Sequence, residues 1–94
     1  MRFSQTEVEE EVVLDLEELL KEPKEIVLYN DDHNTFDFVI ESLVKVCSHT
    51  LTQAEQCTYL VHYKGKCSVK RGEVEKLQSM CSALLDRGLS AEIE

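Results

Sequence analysis

Apolar and polar positions along the chain divide it into an acidic arm and six short periodic segments. From Glu7 to Glu22, acids interleave with Val8, Val12, Val13, Leu16, Leu19 and Leu20, a spacing that fits one stripe of a helix. An acidic stretch with little to pack on also fits a mobile arm, and both readings stay open. Pro23 closes the segment, because proline disfavours helix at the residue before it. A flexible acidic arm is therefore expected over 1–23 and a folded core over 24–94.

Within the core, Ile26-Val27-Leu28-Tyr29 is a short β-favouring run that predicts a buried strand, followed by a turn through Asn30-Asp31-Asp32-His33-Asn34. Asn34 can cap a helix that carries Phe36, Val39, Ile40, Leu43 and Cys47 at helical spacing and ends at Ser48-His49-Thr50. Thr52-x-x-Glu55 reads as a capping box, in which hydroxyl and carboxylate each satisfy a free N–H at a helix start. The second helix so opened carries Ala54, Cys57, Thr58 and Val61 to His62 and ends near Gly65, where a missing Cβ permits a left-handed cap. Cys67 to Lys70 predicts a short strand. After Gly72, Val74, Leu77, Cys81, Leu84 and Leu85 form the clearest helical stripe, with Gly88 just past its end. Leu89, Ala91 and Ile93 then alternate with Ser90, Glu92 and Glu94, the period of a half-buried strand. The order β-α-α-β-α-β predicts an α+β domain with a small three-stranded sheet and helices packed on one face.

Composition narrows what such a domain can do. Ninety-four residues bury one modest core, so a second folded domain is not expected. A net charge of −9 speaks against nucleic acid, because a protein that binds phosphates needs a basic face. The surplus is uneven: residues 1–23 carry eight acids against Arg2 and Lys21, and 24–94 carry eleven against eight bases. No apolar run approaches the roughly 20 residues of a membrane span, and no secretory pattern is recognisable, so no membrane partner and a cytoplasmic location are expected. Cys47, Cys57, Cys67 and Cys81 contain no C-x-x-C pair and predict reduced, partly buried thiols. His33, His49 and His62 lack close ligand spacing, so neither a metal nor another cofactor is expected.

Four stretches carry a family resemblance: Asn30-Asp31-Asp32 straight after an apolar strand, Phe38-Val39-Ile40 in the next helix, Val61-His62-Tyr63-Lys64-Gly65-Lys66 at the following helix end, and Gly88-Leu89-Ser90-Ala91. Together, over about residues 24–94, they resemble the ClpS family. The resemblance implies a non-enzymatic adaptor of the N-end rule. Such an adaptor binds a substrate's first residue (Leu, Phe, Tyr or Trp) and docks on the N-terminal domain of a Clp-type AAA+ unfoldase, whose protease degrades the N-degron substrate. A monomer is expected. By resemblance Asn34, Phe36, Val39, Thr58, Val61 and Leu89 fall on the pocket-lining positions, and Glu73 on a contact with the unfoldase. Many members have Met at the positions of Phe36 and Thr58 and Thr-Pro at Asn34-Thr35, which this sequence does not keep. A Met wall adapts to its guest, whereas Phe is stiff and Thr is smaller and partly polar.

Holding a free N-terminus means binding an ammonium beside an apolar side chain, with acceptors at a rim and hydrocarbon beneath. Asn30, Asp31, Asp32 and His62 are the candidate acceptors: carboxylates only accept, asparagine offers a carbonyl oxygen, and imidazole accepts only when neutral. An imidazole with a reference pKa of about 6.5 charges as pH falls, so binding is expected to weaken below about pH 6. On residue pattern alone the Asn-Asp-Asp run also fits a plain turn, and His62 a histidine that favours a helix C-terminus. Two rivals belong to other classes. A Cys–His hydrolase would need a thiol beside His62, and no cysteine adjoins it in the pattern. A plain interaction domain with the fold of the ribosomal stalk protein's C-terminal domain would leave Asn30, Asp31 and His62 without a joint role.

Overall fold

Lys24–Tyr29 forms strand β1 in the computed structural model, which describes residues 22–94. The arm expected over 1–23, with its stripe from Val8 to Leu20, lies outside the described residues except for Glu22 and Pro23. β1 is central in an antiparallel sheet of order β2-β1-β3, flanked by β2 (Lys66–Gly72) and β3 (Ser90–Ile93). Helices α1 (Phe36–Cys47), α2 (Leu51–Lys64) and α3 (Val74–Asp86) complete the β-α-α-β-α-β order expected from periodicity.

The inward positions of each element meet in one core. Ile26 and Leu28 from β1 join Leu43 and Cys47 of α1, Ala54 and Val61 of α2, Leu77, Cys81 and Leu84 of α3, and Leu89 and Ala91 at β3. Burying each large aliphatic side chain contributes roughly 1.5–3 kcal/mol, and this shared core holds the helices to the sheet. Leu85 departs from expectation: it is about half exposed while Leu84 is fully buried, because only one of two neighbouring residues can face inward on a helix.

A bulge in β2 ties α1 and α2 to the sheet. Ile26 pairs with Lys70 but Val27 with Ser68, so Val69 is the extra residue and turns into the core. The Val69 carbonyl is bound by the His49 ring nitrogen Nε2, which must carry the proton because a carbonyl only accepts. Lys70 reaches back to donate to the Cys47 carbonyl at 3.3 Å, satisfying an end group of α1. The strand is longer than the expected Cys67–Lys70 because pairing with β1 extends it at both ends.

Two helix starts differ from expectation. Thr35, not Asn34, caps α1 and accepts from the Phe38 N–H at 3.2 Å. Thr50 and Gln53, not Thr52 and Glu55, form the capping box of α2. Both pairs satisfy the same motif. Left-handed Ser48 and the anchored His49 make residue 50 the first that can take the extended cap conformation. Gly65 (φ 93°) ends α2 in the left-handed region, as foreseen.

Among the described residues no helix is long and apolar enough to cross a membrane. Among those residues all four cysteines are free thiols, and Cys57 and Cys67 meet across α2 and β2 although ten positions apart in sequence. Burial, then the hydrogen bond with Cys57, pushes the Cys67 thiol up to about 12.

Candidate functional site

The end of β1, the following loop, α1, α2 and the entry to β3 surround a small cleft that opens to solvent. Leu28 and Tyr29 reach it from the strand, Phe36 and Val39 from the first turn of α1, Thr58, Val61 and His62 from the face of α2, and Leu89 from the turn before β3. Thr58, Val61 and His62 share a face because three- and four-residue steps bring helical side chains together. Leu28, Thr58, Val61 and Leu89 are buried, and the rim residues Asn30, Phe36 and His62 are exposed. The Thr58 hydroxyl donates to the Ala54 carbonyl at 2.7 Å, so its proton is spent within the helix.

The rim is built around Asp31. One carboxylate oxygen accepts from the backbone N–H groups of His33 (3.0 Å) and Asn34 (3.1 Å), an Asx turn of the kind the residue pattern allowed. Both carboxylate oxygens accept from the Asn34 side-chain amide, at 3.0 and 2.9 Å. The same amide nitrogen donates to the Gly88 carbonyl at 3.0 Å, joining the loop to the turn before β3. With its nitrogen so engaged, Asn34 keeps its carbonyl oxygen as an available acceptor. The Asn30 N–H donates to the Gly65 carbonyl at 2.9 Å, which draws the loop to the end of α2 beside His62. Among the described residues the side chains of Asn30 and His62 make no hydrogen bond of their own. The His62 ring packs edge-on against Phe36, with centroids 4.9 Å apart.

Ten residues were expected to form the site, and the cleft is lined by nine of them: Asn30, Asp31, Asn34, Phe36, Val39, Thr58, Val61, His62 and Leu89. Asp32 stands on the outer side of the loop, in a shallow groove shared with Phe36 and His62. Leu28 and Tyr29 were missed as lining residues. They end the strand whose next residue is Asn30, and that adjacency was the available signal. The Tyr29 hydroxyl donates to the Glu94 carboxylate, which with burial pushes the phenol up to about 12. Glu73 lies at the N-cap of α3, away from the cleft, and its side chain makes no capping bond. No cysteine lines the cleft, and among the described residues no cluster of three or more His, Cys, Asp or Glu is placed to hold a metal ion.

Comparison with known proteins decides the family. The family described as "ATP-dependent Clp protease adaptor protein ClpS" matches residues 21–92. The chain belongs to this family. Among curated ClpS adapters, that of Cronobacter sakazakii is 42% identical over 64 residues, covering 64% of this chain and 60% of that protein. That of Salmonella arizonae is 41% identical over the same length, again covering 60% of its chain. The matches therefore span about 60% of these relatives' length. The structure of Agrobacterium tumefaciens ClpS2 bound to L-phenylalaninamide superimposes with a TM-score of 0.75, covering 79% of this chain and 96% of that one. At 20% identity this likeness shows that the ClpS fold is shared.

Proposed function

We propose that this ClpS-family protein captures other proteins by a free N-terminal residue with a large apolar side chain and delivers them to a Clp-type AAA+ unfoldase, acting as an adaptor without catalysis of its own. The observation that carries this reading is the joint construction of the cleft: an apolar floor of Leu28, Val61 and Leu89 beneath a rim of Asn30, Asp31, Asn34 and His62. A primary ammonium offers three donors, and this rim offers oxygens and one imidazole nitrogen at the mouth of a hydrocarbon-lined hole. The ligand of the A. tumefaciens neighbour, L-phenylalaninamide, combines a free amino group, a benzyl side chain and an amide, the same chemistry as a peptide's first residue.

The division of labour follows from the hydrogen bonds. Asp31 is the keystone: four contacts hold it to His33 and Asn34, so it acts on the guest chiefly through its charge and by fixing Asn34. Asn30, Asn34 and His62 are the direct acceptors, and Asp32 adds negative charge from outside. Burying a Leu or Phe side chain gains roughly 1.5–3 kcal/mol, and each hydrogen bond to the charged amine about 1.5–3 kcal/mol. Association costs several kcal/mol, which leaves affinity on the order of micromolar.

Fluorescent peptides beginning with Leu, Phe, Val or Ala, each free or N-acetylated, test the reading by anisotropy. Leu and Phe peptides with free amines should bind well, and acetylation or His62→Ala should weaken them at least tenfold. Equal binding of the acetylated forms defeats the proposal.

A further inference from the structure

The cleft continues outward from Phe36 into a row of aromatic rings, of which Tyr59 and Tyr63 do not line the first-residue site. Phe36, at the mouth, meets Tyr59 edge-on at 5.5 Å, and Tyr59 stacks on Tyr63 with ring planes 8° apart at 6.2 Å. Tyr63 also meets His62 edge-on at 4.9 Å, so the row joins the rim at two points. Tyr59 is 52% exposed and Tyr63 75%, far more than core packing requires. Carboxylates border the row: Asp32 shares a groove with Phe36 and His62, Asp37 follows Phe36, and Glu55 lies one helical turn before Tyr59. Lys64 is the nearest cation in sequence, and it points roughly 140° around α2 from Tyr59.

We propose that this shelf reads the second or third residue of the captured chain and favours arginine there. The inference rests on the first-residue reading above, because it needs the peptide to leave the cleft over Phe36 and His62. Extended residues advance about 3.4 Å each, so a chain that leaves along the row would bring its second and third residues past Phe36 and Tyr59. Ring faces attract a cation, and a planar guanidinium stacks on them better than an ammonium does. Asp32, Asp37 and Glu55 favour the same charge and repel an acidic residue.

The test uses Leu-initiated fluorescent peptides with Arg, citrulline, Ala or Glu at the second or, separately, the third position. They are titrated against the full chain and against Tyr63→Leu and the double variant Tyr59→Leu/Tyr63→Leu. Citrulline keeps the shape of arginine and removes its charge. Arginine should bind about two- to fivefold tighter than citrulline at one of the two positions, the range expected for an exposed cation–π contact. The double variant should erase that advantage and change the affinity of the Ala peptide less than twofold. Tyr63 is largely and Tyr59 about half in solvent, and thermal melts check that the variants fold.

An arginine advantage that persists in the double variant overturns the proposal, since the carboxylates would then act alone. So does the lack of any advantage in the unmodified protein while acetylation still abolishes binding. Loss of the amine dependence itself defeats the first-residue reading and the shelf with it.

Discussion

Asn34 and Asp31 each make four hydrogen bonds at the mouth, and only those of Asn34 reach beyond the loop. Its amide spans from the Asp31 carboxylate to the Gly88 carbonyl, and the capping of α1 falls to the next residue, Thr35. Sequence favours Asn equally for caps and for turns, so only the tertiary position of Gly88 separates the two roles. Val39, Thr58, Val61 and Leu89 were expected at the pocket through the family resemblance, and helical spacing sets His62 beside Thr58 and Val61; all five line the cleft. The aromatic shelf was not legible in the sequence, since Phe36 meets Tyr59 and His62 only once α1 and α2 pack. Tyr29 yields a prediction at this scale. Its phenol holds its proton to about pH 12 in the folded chain, because ionising it would set a second negative charge against Glu94. A folded-state pKa above the ordinary value of about 10 makes this contribution to stability complete below pH 10. It is lost as pH rises through 12. In an absorbance titration at 295 nm, one of the three tyrosines should ionise last, and Tyr29→Phe should remove that late phase.

At the scale of elements, the start of α2 decides the direction of the face that carries Thr58, Val61 and His62. Thr50 and Gln53 satisfy two N–H groups there, whereas Thr52 and Glu55 lie inside the first turns. Thr50→Ala should therefore cost about 1 kcal/mol of unfolding free energy, read as a lower midpoint in urea. Thr52→Ala should stay within about 0.5 kcal/mol, as exposed positions away from caps do. Two overlapping copies of one motif made the start of α2 ambiguous in the sequence, and the anchor that resolves it, His49 on Val69, spans twenty residues. β2 was under-read for a related reason. Its bulge interrupts the two-residue alternation at Val69, so the pattern of Lys66–Gly72 looks shorter than the ladder it forms.

Over the whole molecule, the topology was readable because the order of the six segments survives even where the bulge breaks the alternation of β2, and three strands with three helices leave few ways to cover a single sheet face. The division of charge was equally plain. The 23 residues at the start hold eight of the nineteen acids, and every described residue that lines the cleft comes after them. Removing residues 1–20 should thus leave peptide affinity within twofold and abolish degradation of a Leu-initiated substrate by the Clp protease. Anisotropy and a degradation assay on the same preparation measure the two effects, and unchanged degradation excludes a role for the arm in delivery. Glu73 is exposed at the start of α3 and its carboxylate makes no capping bond. The bridge through Asn34 has one further consequence. Under the proposed function, the Asp31–Asn34–Gly88 bonds would already be in place before a guest docks, so capture would demand little ordering of the loop. Residence would then be governed by the guest's own contacts, and a motor pulling on the cargo would meet no latch.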